Sequence, residues 1–483
     1  MITPAIESVV PREQIKQNNE THHPLGNSGM HIIEACSEED ISNVLAYAND
    51  HDKTVNVISG GTKQGYGGTM KQADILLSLA GYKGIVEHSV GDLTLTVRPG
   101  TTLKEISDQL AEKGQCIALD PSWPELATIG GIVAANDSGA KRLLYGSARD
   151  LVIGTRIVYP DGRVIRMGGK VVKNVAGYDM NKLFIGAMGT LGVMSEITLK
   201  LRPLPKYEAL SLLHFPEGDE KKIHDVAKRM LDSMMEPVSL EVLTPSTAEK
   251  LTGKKLHTLA IAFEDQENAV RVQEKWVTEH LPAGARQTVL FEDEARKWWG
   301  QFRQLGPNGY NDSVHSLGLN GYKGGMYDTD PNASTENLSL NDSNNTTDDL
   351  YPDGYNNEST AASIQATVKI GSQPSDVLGI LQKAEQLAVV HHISIDAHGG
   401  AGHGISRVYV YGRADDVIAY MKALRSEAEN RHGYAVGTHL PFNLRKIFDV
   451  WGDKPAYFAL LEGIKQTNDP KKILNRHRFV GGI

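Results

Sequence analysis

The chain has 483 residues, of which 40% are hydrophobic and 23% are charged, and its formal net charge is −9. Its length exceeds that of one typical hydrophobic core and predicts two or three domains. No window approaches the run of about 18 apolar residues that a membrane span needs. The N-terminus lacks the basic and apolar regions of a signal peptide. We therefore expect a cytoplasmic protein without a membrane span.

The two cysteines, Cys36 and Cys116, stand far apart in the sequence. Iron–sulfur clusters and Cys-x-x-Cys redox centres need several cysteines at close spacing. The isolation of these two argues against both kinds of centre. Electrons that reached a cofactor in this chain would therefore have to leave through another protein.

The negative charge is concentrated in one segment. Residues 306–360 contain nine Asp or Glu and one Lys, a net charge of −8, which leaves about −1 for the rest of the chain. The same segment has ten Asn and seven Gly and is too polar to form a core, so it is predicted to be a disordered insert. The nearly neutral remainder does not favour a nucleic-acid-binding face.

Two capping boxes begin predicted helices. Ser37 and Asp40 have the spacing of such a box, and apolar residues recur at helical spacing behind them, so 38–51 is predicted to be a helix. Thr102 and Glu105 repeat the arrangement and predict a second helix.

Runs of apolar residues between turn residues predict the strands of the first domain. An Asp-Gly turn at 161–162 joins two of them into a hairpin. Pro203 and Pro205 then mark the boundary to a second domain. The predicted strands are 55–58, 74–78, 84–88, 93–98, 151–159, 164–167 and 192–201, with a short helical turn at 182–187.

Two glycine pairs stand out. Gly60 and Gly61 lie in SGGTK, directly after the strand 55–58, and Gly130 and Gly131 lie in LATIGGIVAANDSG. Such pairs let the backbone turn tightly and expose N–H groups to an anionic oxygen. We therefore predict two loops that close on one phosphate-bearing ligand. The sequence has neither GxGxxG after the first strand nor GxxxxGK[ST], which excludes the NAD and P-loop types of nucleotide site.

The C-terminal half alternates strands and helices on both sides of the acidic insert. This pattern favours an antiparallel sheet covered by helices on one face. The predicted strands are 209–214, 238–243, 257–263, 363–370, 392–396 and 406–411, and the predicted helices are 219–234, 266–280 and 291–304.

Four ordered motifs resemble the PCMH-type FAD-binding domain of the vanillyl-alcohol-oxidase superfamily. They read SGGTK, VRPGTTLKEI, SWPELATIGGIVAANDSG and GYDMNKLFIGAMGTLGVMSEITLKLRPLP. Within this family, VVKNVAGYDMNKLF is most similar to the FAD-binding subunit of bacterial glycolate oxidase. The resemblance implies an α+β fold: a two-subdomain PCMH-type FAD-binding domain followed by a ferredoxin-like α+β cap domain with a disordered insert.

The predicted domain organisation combines the resemblance with the composition. It consists of a flexible N-terminal arm (1–29), the FAD-binding domain (30–205), the first half of the cap (206–305), the disordered acidic insert (306–360), the second half of the cap (361–467) and a C-terminal tail that returns to the FAD-binding domain (468–483).

The resemblance also implies where FAD binds. The two glycine loops would hold the pyrophosphate from opposite sides, a later strand would meet the adenine end, and residues 174–178 could pack beside the isoalloxazine. The implied cofactor-binding residues are Ser59, Gly60, Gly61, Thr62, Pro99, Thr128, Gly130, Gly131, Gly189 and Ile197.

Two departures from the family pattern affect the chemistry. Relatives that bind the flavin covalently have a histidine where this chain has Thr62, so FAD is predicted to be held non-covalently. The segment HGGAGH, which begins at His398, resembles the metal motif of related dehydrogenases. This chain has His403 where that motif has Asn, and Ile405 where it has its second His. A metal site needs at least three converging ligands, so we assign none.

The C-terminal NDPKKILNRHRF resembles the closing segment of the family, with Arg476 and His477 in place of Pro and Gly. Arg478 could pair with a carboxylate or a flavin oxygen, or could form a surface ion pair. Arg445 and His439 are candidates of the same kind.

The function that this resemblance implies is an FAD-binding oxidoreductase subunit that takes part in the oxidation of a small 2-hydroxy acid, with glycolate as the first candidate. Its implied partners are a catalytic flavin subunit and an iron–sulfur subunit. Two alternatives stay open: a self-sufficient dehydrogenase for D-lactate or another 2-hydroxy acid, and a flavin-binding scaffold without chemistry of its own. The sequence assigns no catalytic residue.

Overall fold

The structure is a computed structural model that describes residues 6–18, 23–169, 178–307 and 364–483. Within them the chain forms an N-terminal α+β domain with two main sheets and a C-terminal domain built on one eight-stranded sheet. The predicted α+β architecture with a large antiparallel cap sheet is confirmed. The acidic insert predicted over 306–360 lies outside the described residues except for its first two. No helix in the described ranges is both long and apolar enough to cross a membrane.

The first sheet of the N-terminal domain has the order β1-β2-β4-β3, with β2, β3 and β4 parallel and β1 antiparallel. The second is antiparallel, with the order β5-β6-β10-β8-β9, and a short pair joins β7 to β11. The strands are β1 (Ile15–Gln17), β2 (Ser28–Glu34), β3 (Val55–Ile58), β4 (Gln72–Ser78), β5 (Ile85–Ser89), β6 (Thr94–Val97), β7 (Gln115–Cys116), β8 (Val152–Val158), β9 (Val164–Gly168), β10 (Val193–Lys200) and β11 (Arg202–Pro203).

Helix α1 packs between these two sheets. Its capping box is formed as predicted, since the Ser37 hydroxyl accepts from the Asp40 N–H and the Asp40 carboxylate accepts from the Ser37 N–H. Its apolar side chains share one core with Val158 and Val193 of the second sheet. The helices of this domain are α1 (Glu38–Asp50), α2 (Leu103–Ala111), α3 (Ile129–Ala135), α4 (Arg142–Tyr145), α5 (Ala148–Leu151) and α6 (Asn181–Phe184).

The N-terminal segment packs onto the domain over its described residues. Ile6 and Val10 are buried in the α1 core, and β1 pairs with β2. The prediction of a flexible arm over 1–29 is therefore wrong for 6–18 and 23–29. The few apolar residues that fix this segment are too widely spaced to form a periodic pattern.

The C-terminal domain consists of two ferredoxin-like units in one sheet, with the order β15-β12-β14-β13-β17-β18-β16-β19. The second unit has the β-α-β-β-α-β order of elements, and the first has the same order with one additional short helix between its second and third strands. The units join through these second strands, β13 and β17. The strands are β12 (Tyr207–Phe215), β13 (Ser239–Leu243), β14 (His257–Asp265), β15 (Arg286–Phe291), β16 (Ile364–Gly371), β17 (Ser394–Gly400), β18 (Ile405–Gly412) and β19 (Tyr434–His439).

Four helices, α7, α9, α11 and α12, cover one face of this sheet and form its largest core. On the other face, α8 and α10 cover the first unit, with Trp298, Trp299 and Phe302 at the centre. The rest of that face turns towards the N-terminal domain. The helices are α7 (Lys221–Leu231), α8 (Pro245–Thr252), α9 (Glu267–Glu279), α10 (Glu292–Phe302), α11 (Val377–Val390), α12 (Ala414–Asn430), α13 (Phe442–Arg445) and α14 (Phe458–Asn468).

The C-terminal tail lies against the first sheet. The Val55 N–H donates to the Ile473 carbonyl (2.8 Å), and the Asn475 N–H donates to the Val55 carbonyl (2.9 Å), so the tail runs beside β3. The ammonium of Lys465, which is 1% exposed, anchors the tail through hydrogen bonds to Asp469 (2.6 Å) and to the Thr190 carbonyl (2.7 Å).

Candidate functional site: a groove between two glycine loops

A groove of ≈ 850 Å³ runs between the two glycine loops, the start of β10 and the C-terminal tail. Small and apolar side chains form most of its wall, and polar groups lie at its ends. It is lined by Asn27, Val57, Ile58, Ser59, Gly60, Gly61, Thr62, Lys63, Gln64, Leu79, Pro99, Thr128, Gly130, Gly131, Ala134, Ala135, Met188, Gly189, Gly192, Val193, Met194, Asn475 and Arg478.

The structure brings nine of the ten predicted cofactor-binding residues together in this groove. They are Ser59, Gly60, Gly61, Thr62, Pro99, Thr128, Gly130, Gly131 and Gly189. The tenth, Ile197, is 0% exposed and lies in the second sheet, where it pairs with Val97 and Thr155 of the flanking strands. Its side chain belongs to the core and does not face the groove, because its strand is central and both neighbours cover it.

Close backbone contacts explain why glycines stand in these loops. A Cβ atom at Gly60 would overlap the carbonyl oxygen of Leu126, and one at Gly130 would lie 2.6 Å from the Cβ of Pro99. Gly61 has a φ of +72°, in the left-handed region that favours glycine. The two loops therefore pack directly against each other, which fixes the width of the groove.

The second glycine loop differs from the open nest that the sequence predicted. Gly130 lies in the first turn of α3, and its N–H donates to the Pro99 carbonyl (2.9 Å). This N–H is therefore used within the protein and is not a donor to a ligand. Pro99 and Gly130 shape the groove instead.

Two hydroxyl groups on opposite loops fit the predicted cofactor. Ser59 Oγ and Thr128 Oγ1 are buried and have no hydrogen-bond partner among the described residues, and both residues line the groove. A buried hydroxyl without a partner costs about 1–3 kcal/mol, which a ligand oxygen would recover. The pair therefore matches an acceptor-rich group such as a diphosphate, held from two sides.

A buried ion-pair cluster connects Lys63, which lines the groove, to the cap sheet. The Asp137 carboxylate lies 2.8 Å from Lys63 Nζ of the first glycine loop and 2.6 Å from an Arg407 guanidinium nitrogen on β18. Although burial acts to raise it, these two cations hold the pKa of Asp137 well below its usual range. No local sequence pattern indicates this cluster, which joins both glycine segments to the cap and engages Lys63 with Asp137.

The tail also lines part of the groove. The Asn475 side chain accepts from the Val57 N–H (2.8 Å) and donates to the Met188 carbonyl (2.8 Å). Arg478 is buried and donates to the carbonyls of Tyr66 (2.8 Å) and Lys63 (2.7 Å). Of the alternatives open for Arg478, the surface ion pair is therefore wrong, since its guanidinium holds the first glycine loop.

A second buried arginine lies beside the first loop. Arg445 donates to the Gly67 carbonyl (3.1 Å), while its Nε and Nη2 have no partner in the described ranges. Burial, with Arg478 nearby, lowers the pKa of Arg445 to about 9. Burial and Arg445 lower the pKa of His439 to about 4, so this imidazole is neutral at pH 7. No ion pair joins either arginine to an acid among the described residues, so the loop carries uncompensated positive charge that favours a bound anion.

The histidines of HGGAGH lie at the junction of the two cap units. His398 Nδ1 is 2.8 Å from Glu241 of β13, and its Nε2 is 3.2 Å from the Tyr409 hydroxyl. His403 Nε2 is 3.2 Å from the same glutamate. The described residues contain no group of three His, Cys, Asp or Glu side chains arranged to hold a metal. Both ring nitrogens of His398 are thus engaged with protein groups.

Residues 30–168 match the family described as "FAD binding domain". Glycolate oxidase subunit GlcE of Escherichia coli (strain K12) is 32% identical over 254 residues, 52% of this chain and 65% of that protein. Glycolate oxidase subunit GlcD of Bacillus subtilis (strain 168) is 32% identical over 218 residues, 45% of this chain and 46% of that protein. The chain therefore spans about half to two thirds of the length of these curated relatives.

Two solved structures resemble the whole chain. Alkyldihydroxyacetonephosphate synthase matches with a TM-score of 0.68 and 16% identity, over 98% of this chain and 84% of the other. p-Cresol methylhydroxylase matches with a TM-score of 0.63 and 16% identity, over 98% and 92%. At these identities the likeness shows the fold alone. Residues 30–168 therefore match an FAD binding domain, and the whole chain shares the fold of these two solved structures.

Proposed function

We propose that the chain is an FAD-dependent oxidoreductase that takes part in oxidising a small 2-hydroxy acid, with glycolate as the first candidate. The observation that carries the proposal is the groove lined by Ser59 and Thr128 of two loops, whose buried hydroxyls have no hydrogen-bond partner among the described residues. When bound, FAD supplies the acceptor for the hydride of the carbon that bears the hydroxyl group. The names of the curated relatives, glycolate oxidase subunits and D-lactate dehydrogenases, support this class of substrate.

Different residues of the chain have different roles in binding this cofactor. Ser59 and Thr128 bind the diphosphate, and Arg478 keeps the first loop in place while adding positive charge. Arg407 of the cap sheet contacts Asp137, which in turn holds Lys63 of the first glycine loop. The alternative of a scaffold without chemistry is separated from this proposal by whether a hydroxy acid reduces the bound flavin.

The first test is anaerobic reduction. We expect the purified chain with FAD to show flavin absorbance near 450 nm and to lose it slowly when glycolate or D-lactate is added under nitrogen. Absence of flavin absorbance after purification with added FAD would contradict the cofactor assignment. Flavin that binds but is reduced by neither acid would favour the scaffold alternative.

We also propose that steady turnover needs partners, namely a catalytic flavin subunit and an iron–sulfur subunit. Both ring nitrogens of His398 are engaged by Glu241 and Tyr409, so this imidazole is not free to take a proton from a substrate. Cys36 and Cys116 offer no cluster for onward electron transfer. We expect little oxidation of glycolate by the chain alone with an artificial acceptor, and activity once the partners are added. Rapid turnover by the isolated chain that His398→Ala abolishes would favour the self-sufficient dehydrogenase.

FAD is expected to be bound non-covalently. Thr62 cannot form a histidyl bond, and the residues that line the groove within the described ranges include no His, Cys or Tyr. Acid precipitation of the purified protein should therefore leave the yellow colour in the supernatant and a white pellet. A yellow pellet would show a covalent bond and would contradict this assignment.

A further inference from the structure

Three cross-strand neighbours place a row of polar side chains on the cap face that turns to the FAD-binding domain. The register pairs His398 of β17 with Arg407 of β18, and Arg407 with Lys369 of β16. Directly opposite residues in adjacent strands project to the same face, and their sequence neighbours project to the other. The alternate residues Ala397 and Val408 lie in the large core on the helical face. The polar row therefore faces the domain that holds the groove.

This row is connected to the groove through the buried ion pairs. Lys63 lines the groove and contacts Asp137, and Asp137 contacts Arg407. Arg407 is the direct cross-strand neighbour of Lys369. Lys369 thus lies next to Arg407 of the ion-pair cluster, on the side of the cap.

Among the described residues, Lys369 is a cation without a counter-ion. No hydrogen bond or ion pair joins its ammonium to any described residue, although its side chain is partly buried. Arg142, on the FAD-binding side, donates to the Ser138 hydroxyl (2.9 Å) and likewise has no ion pair there. Burial, together with Arg407 and Arg142, lowers the pKa of Lys369 to about 8. The single carboxylate nearby, Asp137, is already shared by two other cations.

We propose that Lys369 of the cap and Arg142 of the FAD-binding domain form the subsite that holds the carboxylate of the substrate. The excess positive charge of these two side chains is neutralised by a small anion that binds between the domains. A carboxylate fits this position because it can accept hydrogen bonds from an ammonium and a guanidinium at once. The proposal rests on the proposed function, because that function makes the substrate an acid. Lys369 is a substrate-positioning residue in this arrangement.

Oxalate tests the subsite without turnover, since it carries two carboxylates and no hydroxyl group to oxidise. We expect oxalate to bind the FAD-loaded full chain, as measured by calorimetry and by a change in the flavin spectrum. Lys369→Met should weaken this binding at least 10-fold with unchanged FAD content, whereas Lys369→Arg should keep it within about 3-fold. Lys422→Met, which removes an exposed lysine on the helical face of the cap, is the matched control and should change nothing.

The pH dependence provides a second readout. The charged and titratable groups near Lys369 are Arg407, Asp137, Arg142 and Tyr434. The two cations paired with Asp137 hold its pKa below its usual range, and burial raises the pKa of Tyr434. The ammonium of Lys369 loses its proton as the pH rises through its pKa of about 8, so oxalate binding should weaken there. In Lys369→Arg the guanidinium stays charged, and the fall near pH 8 should disappear.

The results distinguish a failure of the proposed subsite from a failure of the proposed function. Oxalate binding that depends on Lys369, without reduction of the flavin by any hydroxy acid, supports the subsite and contradicts the proposed function. Reduction by glycolate with equal affinity in wild type and Lys369→Met overturns the subsite alone. Binding of phosphate as tight as that of oxalate would overturn the assignment to a carboxylate.

Discussion

Replacing Gly60 with Ala is expected to remove most of the bound FAD and to destabilise the fold. The added Cβ atom would overlap the carbonyl oxygen of Leu126, which is backbone and cannot swing away. Overpacking of this kind typically costs about 1–3 kcal/mol, and moving the loops apart would displace Ser59 from the groove. The ratio of absorbance at 450 nm to that at 280 nm reports FAD content, and the midpoint of chemical denaturation reports stability.

Two matched variants separate packing from cofactor binding. A Cβ at Gly131 would contact only the Thr128 hydroxyl, at 3.4 Å. Gly131→Ala should therefore keep the stability of the FAD-free protein but weaken the binding of FAD, because the added methyl group would lie in the groove. Gly91→Ala, at a turn with no atom within 4 Å, should leave both quantities unchanged. Full FAD content and unchanged stability in Gly60→Ala would contradict the contact between the loops.

Asp137→Asn is expected to destabilise the protein by about 3 kcal/mol or more. Removing one partner of a buried ion pair leaves an uncompensated charge, with typical costs of about 3–5 kcal/mol. Here one substitution leaves two cations, Lys63 and Arg407, next to each other, and it breaks the link between the FAD-binding domain and the cap. The change in the free energy of unfolding measures the effect.

The contribution of Asp137 to the free energy of unfolding depends on pH in a definite direction. The pKa of Asp137 is depressed in the folded protein, so its contribution is complete above the unfolded value of about 4 and is lost as the pH falls towards the folded value. Wild type should therefore lose more stability than Asp137→Asn on acidification below about pH 4. Asp108→Asn, which breaks the exposed pair with Lys104, should cost less than about 0.5 kcal/mol. Similar effects of the two substitutions would contradict the role of the cluster.

Local signals in the sequence predicted a large part of the fold. The helix that begins after Ser37 and the hairpin around the Asp-Gly turn at 161–162 follow from capping and turn chemistry, and both form as predicted. The strands β15 and β19 were missed. Both lie at the edges of the cap sheet. β15 is only partly covered, and β19, although mostly buried, contains a glycine, a threonine and a histidine and so lacks a run of large apolar residues.

The glycine loops could be predicted because their residues are close in sequence, whereas the contacts that join distant segments could not. Asp137 and Arg407 are separated by 270 positions, and no local pattern links them. The row that contains Lys369 depends on the register of three strands, which only the folded sheet reveals. The functional residues of the cap therefore became visible only in the structure.

The way the C-terminal tail completes the first sheet bears on when the cofactor can be loaded during biosynthesis. The ribosome synthesises the two glycine loops long before Asn475 and Arg478, yet all of them line one groove. Domains generally fold in order of synthesis, but here the earliest domain keeps an open edge at Val55 until residues 473–475 arrive. A nascent chain that has not yet reached residue 478 therefore cannot complete the groove, and FAD incorporation becomes a step that follows synthesis of the tail.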